Sequence, residues 1–470
     1  MLIRGEQDSL AIVSQDGSTV TYGELRELSL RFKNLDFQRK VVLIVADNSL
    51  ATLSTIAALI DAQAVPILFN SQTEDSSLIQ IIERYNVQFI FGLSARISDL
   101  CAVNVITEVD QNYGLFLIDQ LREALSPHPS LAVLFPTSGS TGNPKLVRIS
   151  GRNLATNADA IVNYLGITDR DRPILHLPVS YTYGLSILTS HLRAGATVYC
   201  TDESIVSRSF WEFIKNSRCT SLPGVPFTYS MLKKLRFMQM DLPHLKTLTQ
   251  AGGKLSADLQ REFGEWAIEN DARFVVMYGQ TEATARMSYL PPDRVLDKPG
   301  SIGIPISEGS FELVNDDNSE VSSPNVNANL IYKGPNVAMG YALNDFDLTL
   351  GDDFQGRLVT GDVAFKDDEN FYYLVGRSDR HVKVFGYRIN LDDVERIASE
   401  LTAQVACVGK EDLVTIFVFG EEKLSEKEIK THISQALNLN TIAFSVKILD
   451  EPPLTVNSKI DYRRLVEFAK

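Results

Sequence analysis

Short apolar runs recur between residues 41 and 278: VVLIVA (41–46), AVPILF (64–69), VQFIF (87–91), LAVLF (131–135), PILHLP (173–178), ATVYC (196–200), LKTLTQA (245–251) and RFVVMY (273–278). VVLIVA has no polar alternation and suits a strand buried on both faces. Between the runs lie segments of helical pattern, at 49–63, 74–85, 152–165, 184–194, 208–217 and 256–270. Parallel neighbours need a crossover connection, and a helix supplies it. The alternation therefore predicts a layered α/β fold with largely parallel sheets. No repeat of 20–50 residues interrupts it.

The texture changes after residue 300. Short β-prone segments (FELVN, NLIYKG, RLVTGDVAF, FYYLVG) are separated by turn-rich NDDNSE and KDDEN, which predicts a small antiparallel, β-barrel-like unit over about 301–375. Residues 380–470 read as a compact α+β lobe: a strand (HVKVFGYRI), a helix at 392–401, two strands, a charged helix at 425–437 and a final strand. The expected division is a large domain over 1–378 and a small lobe over 379–470. A length of 470 residues accommodates about three domain-sized units.

The formal charge of −14, without any Lys/Arg-rich run, argues against nucleic acid as a partner. Cys101, Cys200, Cys219 and Cys407 form no C-x-x-C pair, so neither a disulfide framework nor a zinc site is expected. The stretch TLSTIAALIDAQAVPILF, from Thr52, contains Asp61 and a proline and reads as helix then strand, not as a membrane span. The N-terminal MLIRGEQDSLAIV has no signal-peptide core. A cytoplasmic protein is the expectation.

LFPTSGSTGNPKLVR (134–148) places hydroxyls, glycines and Lys145 directly after an apolar run. Such a loop offers backbone N–H groups, hydroxyls and one cation to an anion. Its spacing is not G-x-x-x-x-G-K-[ST], and no G-x-G pair occurs, so neither a P-loop nor a dinucleotide fingerprint is present.

Four further motifs follow in order: YGQTE (278–282), TGD (360–362), GRSDRHVKVFGYRI (376–389) and PLTVNSK (453–459). With TSGSTGNPK (137–145), they resemble the adenylate-forming superfamily of acyl-CoA synthetases, peptide-synthetase adenylation domains and luciferases. The resemblance runs from TVTYGEL (19–25) to Lys459. It implies ATP-dependent conversion of a carboxylic acid to an acyl-adenylate, with magnesium, followed by transfer to a pantetheine thiol of coenzyme A or an acyl carrier protein. A carboxylate attacks a negative phosphate poorly, so such a site must neutralise charge and align the reactants.

By this resemblance Thr137, Ser138, Gly139, Ser140, Thr141, Gly142 and Lys145 close over the β- and γ-phosphates. Tyr278 stacks on adenine, Thr281 meets the α-phosphate and Glu282 holds Mg²⁺. Gly252 and Gly253 line the adenine and acyl pocket, or form a plain turn. Asp362 takes the ribose hydroxyls with Arg377 beside it, as an ionised carboxylate can accept from both. Lys459 bridges the acid and the forming ester. Asp379 is the hinge about which the terminal lobe swings, bringing Lys383 and Gly386 to a thiol tunnel, with Arg388 also available to phosphate. Leu146 replaces a second glycine common after the lysine, and Ser458 replaces the usual glycine before Lys459.

LPVSYTYGLSIL (177–188) resembles the acyl-pocket segment, which makes Tyr181, Tyr183 and Gly184 the substrate-pocket candidates. Tyr181 stands where acyl- and aryl-CoA synthetases often carry histidine. Gly184 stands where α-amino-acid-activating relatives carry aspartate, so an α-amino acid is not the expected substrate. His176 reads as a core residue. The sequence leaves open a non-catalytic nucleotide-binding relative, and an adenylate delivered to a non-thiol acceptor.

Overall fold

A computed structural model describes residues 2–118, 123, 125–136, 145–377, 380–385, 387–402, 404–410, 412–420, 425–437, 439–455 and 459–469, with backbone alone at 381, 383, 387 and 388. The chain divides into two compact units. The first comprises Met1–Ser310 with Tyr332–Leu358, and the second Phe311–Ile331 with Val359–Lys470. The β-rich stretch after residue 300 is shared between them.

The first unit is built on an eight-stranded sheet in the order Gly340–Ala342, Leu146–Ser150, Leu131–Pro136, Val65–Asn70, Val41–Ala46, Phe89–Leu93, Tyr113–Ile118, Val103–Glu108. Its four central strands, 131–136 to 89–93, pair in parallel, and the strands outside them pair antiparallel. The parallel centre is where the apolar runs are fully buried. The helix Leu50–Asp61 starts at Ser49, whose side chain accepts from the Thr52 N–H. The helix Gly151–Leu165 opens on a capping box between Ser150 and Asn153 and stops at Gly166, in the left-handed conformation.

Further strands in the same unit, Ser221–Gly224, Thr247–Gln250 and Arg273–Tyr278, run parallel, and Ser288–Tyr289 and Ser301–Pro305 continue antiparallel. The strand expected over 173–178 shortens to Ile174–Leu175. The Asn48 side chain takes its place further on: Nδ2 donates to the Leu177 carbonyl at 3.2 Å and Oδ1 accepts from Val179 N–H at 3.1 Å. Pro178 has no N–H to give a ladder.

The strands Ser310–Val314, Ala328–Lys333, Arg357–Lys366 and Tyr372–Arg377, which fall mainly in the second unit, are sheet neighbours in chain order. HVKVFGYRI is not one strand but a hairpin, His381–Val384 with Tyr387–Asn390, turning where Phe385 adopts a φ of 50°. A three-stranded sheet (Val405–Lys410, Leu413–Phe419, Phe444–Leu449) carries the helices Leu391–Ala398, Glu426–Leu437 and Tyr462–Phe468. Among the described residues no helix is long and apolar enough to cross a membrane.

Candidate active site

The strand Arg273–Tyr278 ends at YGQTE. A side chain at Gly279 would put its Cβ 1.8 Å from the Ala285 carbonyl oxygen, so the chain turns only because glycine stands there. Thr281–Ala283 then form one 3₁₀ turn. Glu282 is half-buried, and its carbonyl accepts from the Ala338 N–H at 2.9 Å. Its carboxylate Oε1 accepts from the Tyr341 hydroxyl at 2.9 Å. Lys145 Nζ lies 3.4 Å from the centroid of the same tyrosine ring. Sheet register explains the meeting, for Tyr341 pairs with Val147, two residues after Lys145. Arg148, fully buried, holds the pairing by donating to the carbonyls of Tyr341, Met339, Leu350 and Gly351 and to Asp353. Lys145 and Glu282 were legible as motif residues; Tyr341 was not.

The acyl-side candidates lie on the helix Thr182–Ala194, with half-buried Tyr181 just ahead of it. Tyr183 is buried and its hydroxyl donates to the Thr249 carbonyl at 2.9 Å, as does that of Tyr229. Gly184 is a packing position: a Cβ there would lie 2.2 Å from the Pro178 carbonyl oxygen. Arg286, buried, lays its guanidinium 4.0 Å above the Tyr183 ring. Gly252 adopts a φ of 86°, which favours glycine, and the Gly253 carbonyl accepts from Gln250 Nε2 at 2.9 Å. His176 is a core residue. Burial pushes its imidazole down to about 4, and Nε2 donates to the Pro223 carbonyl at 2.7 Å.

In the second unit Asp362 and Arg377 are register partners, with Oδ1 and Nη1 3.7 Å apart. Asp362 is buried while Arg377 is exposed. Lys459 is exposed. Leu454 and Ile460 bridge, and Thr455 N–H donates to the Lys459 carbonyl at 2.7 Å. Just beyond, the Tyr462 hydroxyl donates to Glu395 Oε1 at 3.1 Å, which also receives Arg380 Nη2 at 2.8 Å. Lys383 lies on the first hairpin strand. Thr137, Ser138, Gly139, Ser140, Thr141, Gly142, Asp379 and Gly386 lie outside the described residues.

Over residues 3–342 the sequence matches the AMP-binding enzyme family. The chain belongs to that family. It is 23% identical to a 2-succinylbenzoate–CoA ligase of Listeria monocytogenes over 99% of this chain and 96% of that one. It is 29% identical to the D-alanine–D-alanyl carrier protein ligase of Bacillus licheniformis over 70% of each. Its fold is similar to that of O-succinylbenzoate coenzyme A synthetase from Bacillus subtilis in complex with ATP and magnesium ion. The TM-score is 0.78 at 22% identity, covering 96% and 95% of the two chains. By class this AMP-binding enzyme is an AMP-forming acid–thiol ligase.

Its Glu282 fits the metal. Among the described residues the carboxylate has no lysine or arginine partner, only the neutral Tyr341 hydroxyl. That suits magnesium, which keeps its waters and takes one or two carboxylates plus substrate phosphates.

Proposed function

We propose that this AMP-binding enzyme activates a small carboxylic acid other than an α-amino acid, and passes the acyl group to a pantetheine thiol. In the first half-reaction a carboxylate oxygen attacks the α-phosphorus of ATP, and the bond to pyrophosphate breaks. In the second the thiol sulfur attacks the acyl carbon, AMP leaves with the bonding electrons, and the thiol proton passes to solvent. Coenzyme A and a carrier protein present the same thiol, and both occur as acceptors in the names of the relatives.

The Lys145–Tyr341–Glu282 assembly carries the reading, because it joins a phosphate-seeking cation to a carboxylate that has no cationic partner among the described residues, at the end of the YGQTE strand. Ligands of open α/β sheets bind at such strand ends. Tyr278 stacks on adenine and Thr281 donates to the α-phosphate. The loop from Thr137 through Ser138, Ser140 and Thr141 covers the outer phosphates. Buried Asp362, held beside Arg377, accepts from the ribose hydroxyls. Magnesium, when bound, shields the phosphate oxygens, with Glu282 its protein ligand. Lys459 neutralises charge between acid and phosphate during adenylation. Rotation of the lobe 379–470 about Asp379 then withdraws it and brings up Lys383 and Gly386 for the thiol. The steric closure at Gly184 supports the exclusion of α-amino acids, since no aspartate can stand there to pair with an ammonium. The chemistry suits the cytoplasm.

The test is exchange of labelled pyrophosphate into ATP with pools of fatty, aryl, hydroxy, dicarboxylic and amino acids. One pool should support exchange, and Lys459→Ala should abolish it. Coenzyme A and carrier proteins are then compared as acceptors. ATP binding without exchange from any pool would sink the ligase reading.

A further inference from the structure

Arg286 carries a charge that nothing among the described residues neutralises. Its backbone is fixed where Thr284 and Ala285 adopt φ of 62° and 122°, and its carbonyl accepts from Asn157 Nδ2 at 2.9 Å and Asn336 Nδ2 at 2.8 Å. The side chain is buried, 3% exposed. Its neighbours are neutral: the Tyr183 ring at 4.0 Å, the Met277 sulfur 3.3 Å from Nε, and the Tyr164 hydroxyl. No carboxylate of the described residues stands within ion-pair distance. A guanidinium cannot shed its proton, and an unpaired buried charge is costly.

The group lines a cavity of about 30 Å³, room for about two water-sized atoms. Tyr183, Ser186, Ser190, His191 and Thr249 also line it, a set rich in hydroxyls. Its one carboxylate, Asp171, accepts instead from the Thr168 and Thr220 hydroxyls, both at 3.1 Å. The cavity reaches Met277, next to Tyr278, and Arg286 stands on the chain just beyond the Thr281–Ala283 turn.

We propose that Arg286 and the cavity it lines form a subsite for a second anionic group on the acid substrate, so that the acid is a short dianion, in its simplest form a dicarboxylate. The two oxygens of a carboxylate fit the space. The planar guanidinium meets them as a pair. A chain of a few carbons joins this anion to the carboxylate that reacts. The proposal rests on the ligase reading and names its substrate class.

The experiment compares short dicarboxylates with their monoamides, which match them in shape, in pyrophosphate exchange by wild type, Arg286→Met and Arg286→Lys. A site built around an anion discriminates strongly against an analogue lacking it. Wild type should prefer the dicarboxylate by about a hundredfold in kcat/KM. In Arg286→Met that ratio should collapse towards one, and Arg286→Lys should restore part of it. In parallel, dicarboxylate should raise the melting temperature of wild type, and raise that of Arg286→Met much less. Without acid, Arg286→Met should melt no lower than wild type, because an uncompensated charge has gone. Equal use of acid and monoamide by wild type, or a preference surviving Arg286→Met, overturns the subsite while leaving the ligase reading intact. Absence of exchange with every acid overturns the ligase reading. The melting shift of wild type then decides the subsite alone, as it does should Arg286→Met not fold.

Discussion

Tyr341 joins Lys145 to Glu282: its hydroxyl donates to the carboxylate at 2.9 Å while its ring carries the ammonium 3.4 Å from the centroid. The two motif residues are thus held by one side chain that belongs to neither motif. Partners that orient a metal ligand commonly matter to affinity by about tenfold or more. Tyr341→Phe keeps the ring and loses the bond to Glu282. It should raise the Mg²⁺ concentration for half-maximal exchange by about tenfold. Tyr341→Leu should also weaken ATP binding in calorimetry. An unchanged Mg²⁺ titration in Tyr341→Phe would make the contact incidental.

Gly184 offers a steric test. Its missing Cβ would meet the carbonyl oxygens of Pro178 at 2.2 Å and Leu177 at 2.8 Å. Both are backbone atoms and cannot swing aside. Gly184→Ala should cost about 3 kcal/mol, seen as a lower melting temperature. Gly184→Asp should be worse, and should not confer exchange with α-amino acids.

Arg148 tests the staple behind the site. Its guanidinium serves the carbonyls of Met339, Tyr341, Leu350 and Gly351 from a fully buried position. Arg148→Met fills much of the volume but takes away those bonds, leaving the Met339 carbonyl with the Asp353 N–H alone, at a cost of about 3 kcal/mol or more. Hydrogen exchange should then show Gly340–Ala342 losing protection before the central strands do. Uniform loss across the sheet would contradict the local role.

His191 predicts a pH dependence. Unfolded, its imidazole titrates near 6.5; folded, burial pushes it down to about 4, with Nδ1 donating to the Ile187 carbonyl at 2.8 Å. The unfolded chain binds the extra proton between those values. The contribution is therefore whole above the upper value and is lost as pH falls towards the lower. In denaturant melts, His191→Asn should lessen the loss of stability between about pH 7 and pH 5 by about 2 kcal/mol. His176, pushed down to about 4 in the same way, keeps a slope in the variant. An identical slope in His191→Asn would show that His191 is already charged when folded.

Much of the fold is legible in the chain because its signals are local. VVLIVA and AVPILF are read as buried strands from composition, and Ser49 and Ser150 mark helix starts through bonds reaching only three residues on. Proline and glycine act locally too, but their outcome turned on neighbours. The run 173–178 shortened because Asn48 supplied side-chain bonds beside Pro178, and HVKVFGYRI became a hairpin because the chain reverses at Phe385. Neither the Asn48 contact nor the reversal leaves a periodic trace.

The chemistry divides in the same way. YGQTE, TGD and the glycine-rich run to Lys145 are each contiguous, so sequence alone showed the motifs in which phosphate, metal and ribose ligands are proposed, in that order. Tyr341 is 59 positions from Glu282 and meets it only because Gly340–Ala342 pairs with Leu146–Ser150. Arg286 looks like any surface arginine until packing buries it against Tyr183. Gly184, read from the chain as pocket lining, is a point where backbone meets backbone. Residue types and their spacing determine which groups are present. Sheet register and packing decide which of them meet and which charges are left uncompensated, because those contacts join segments far apart in the chain.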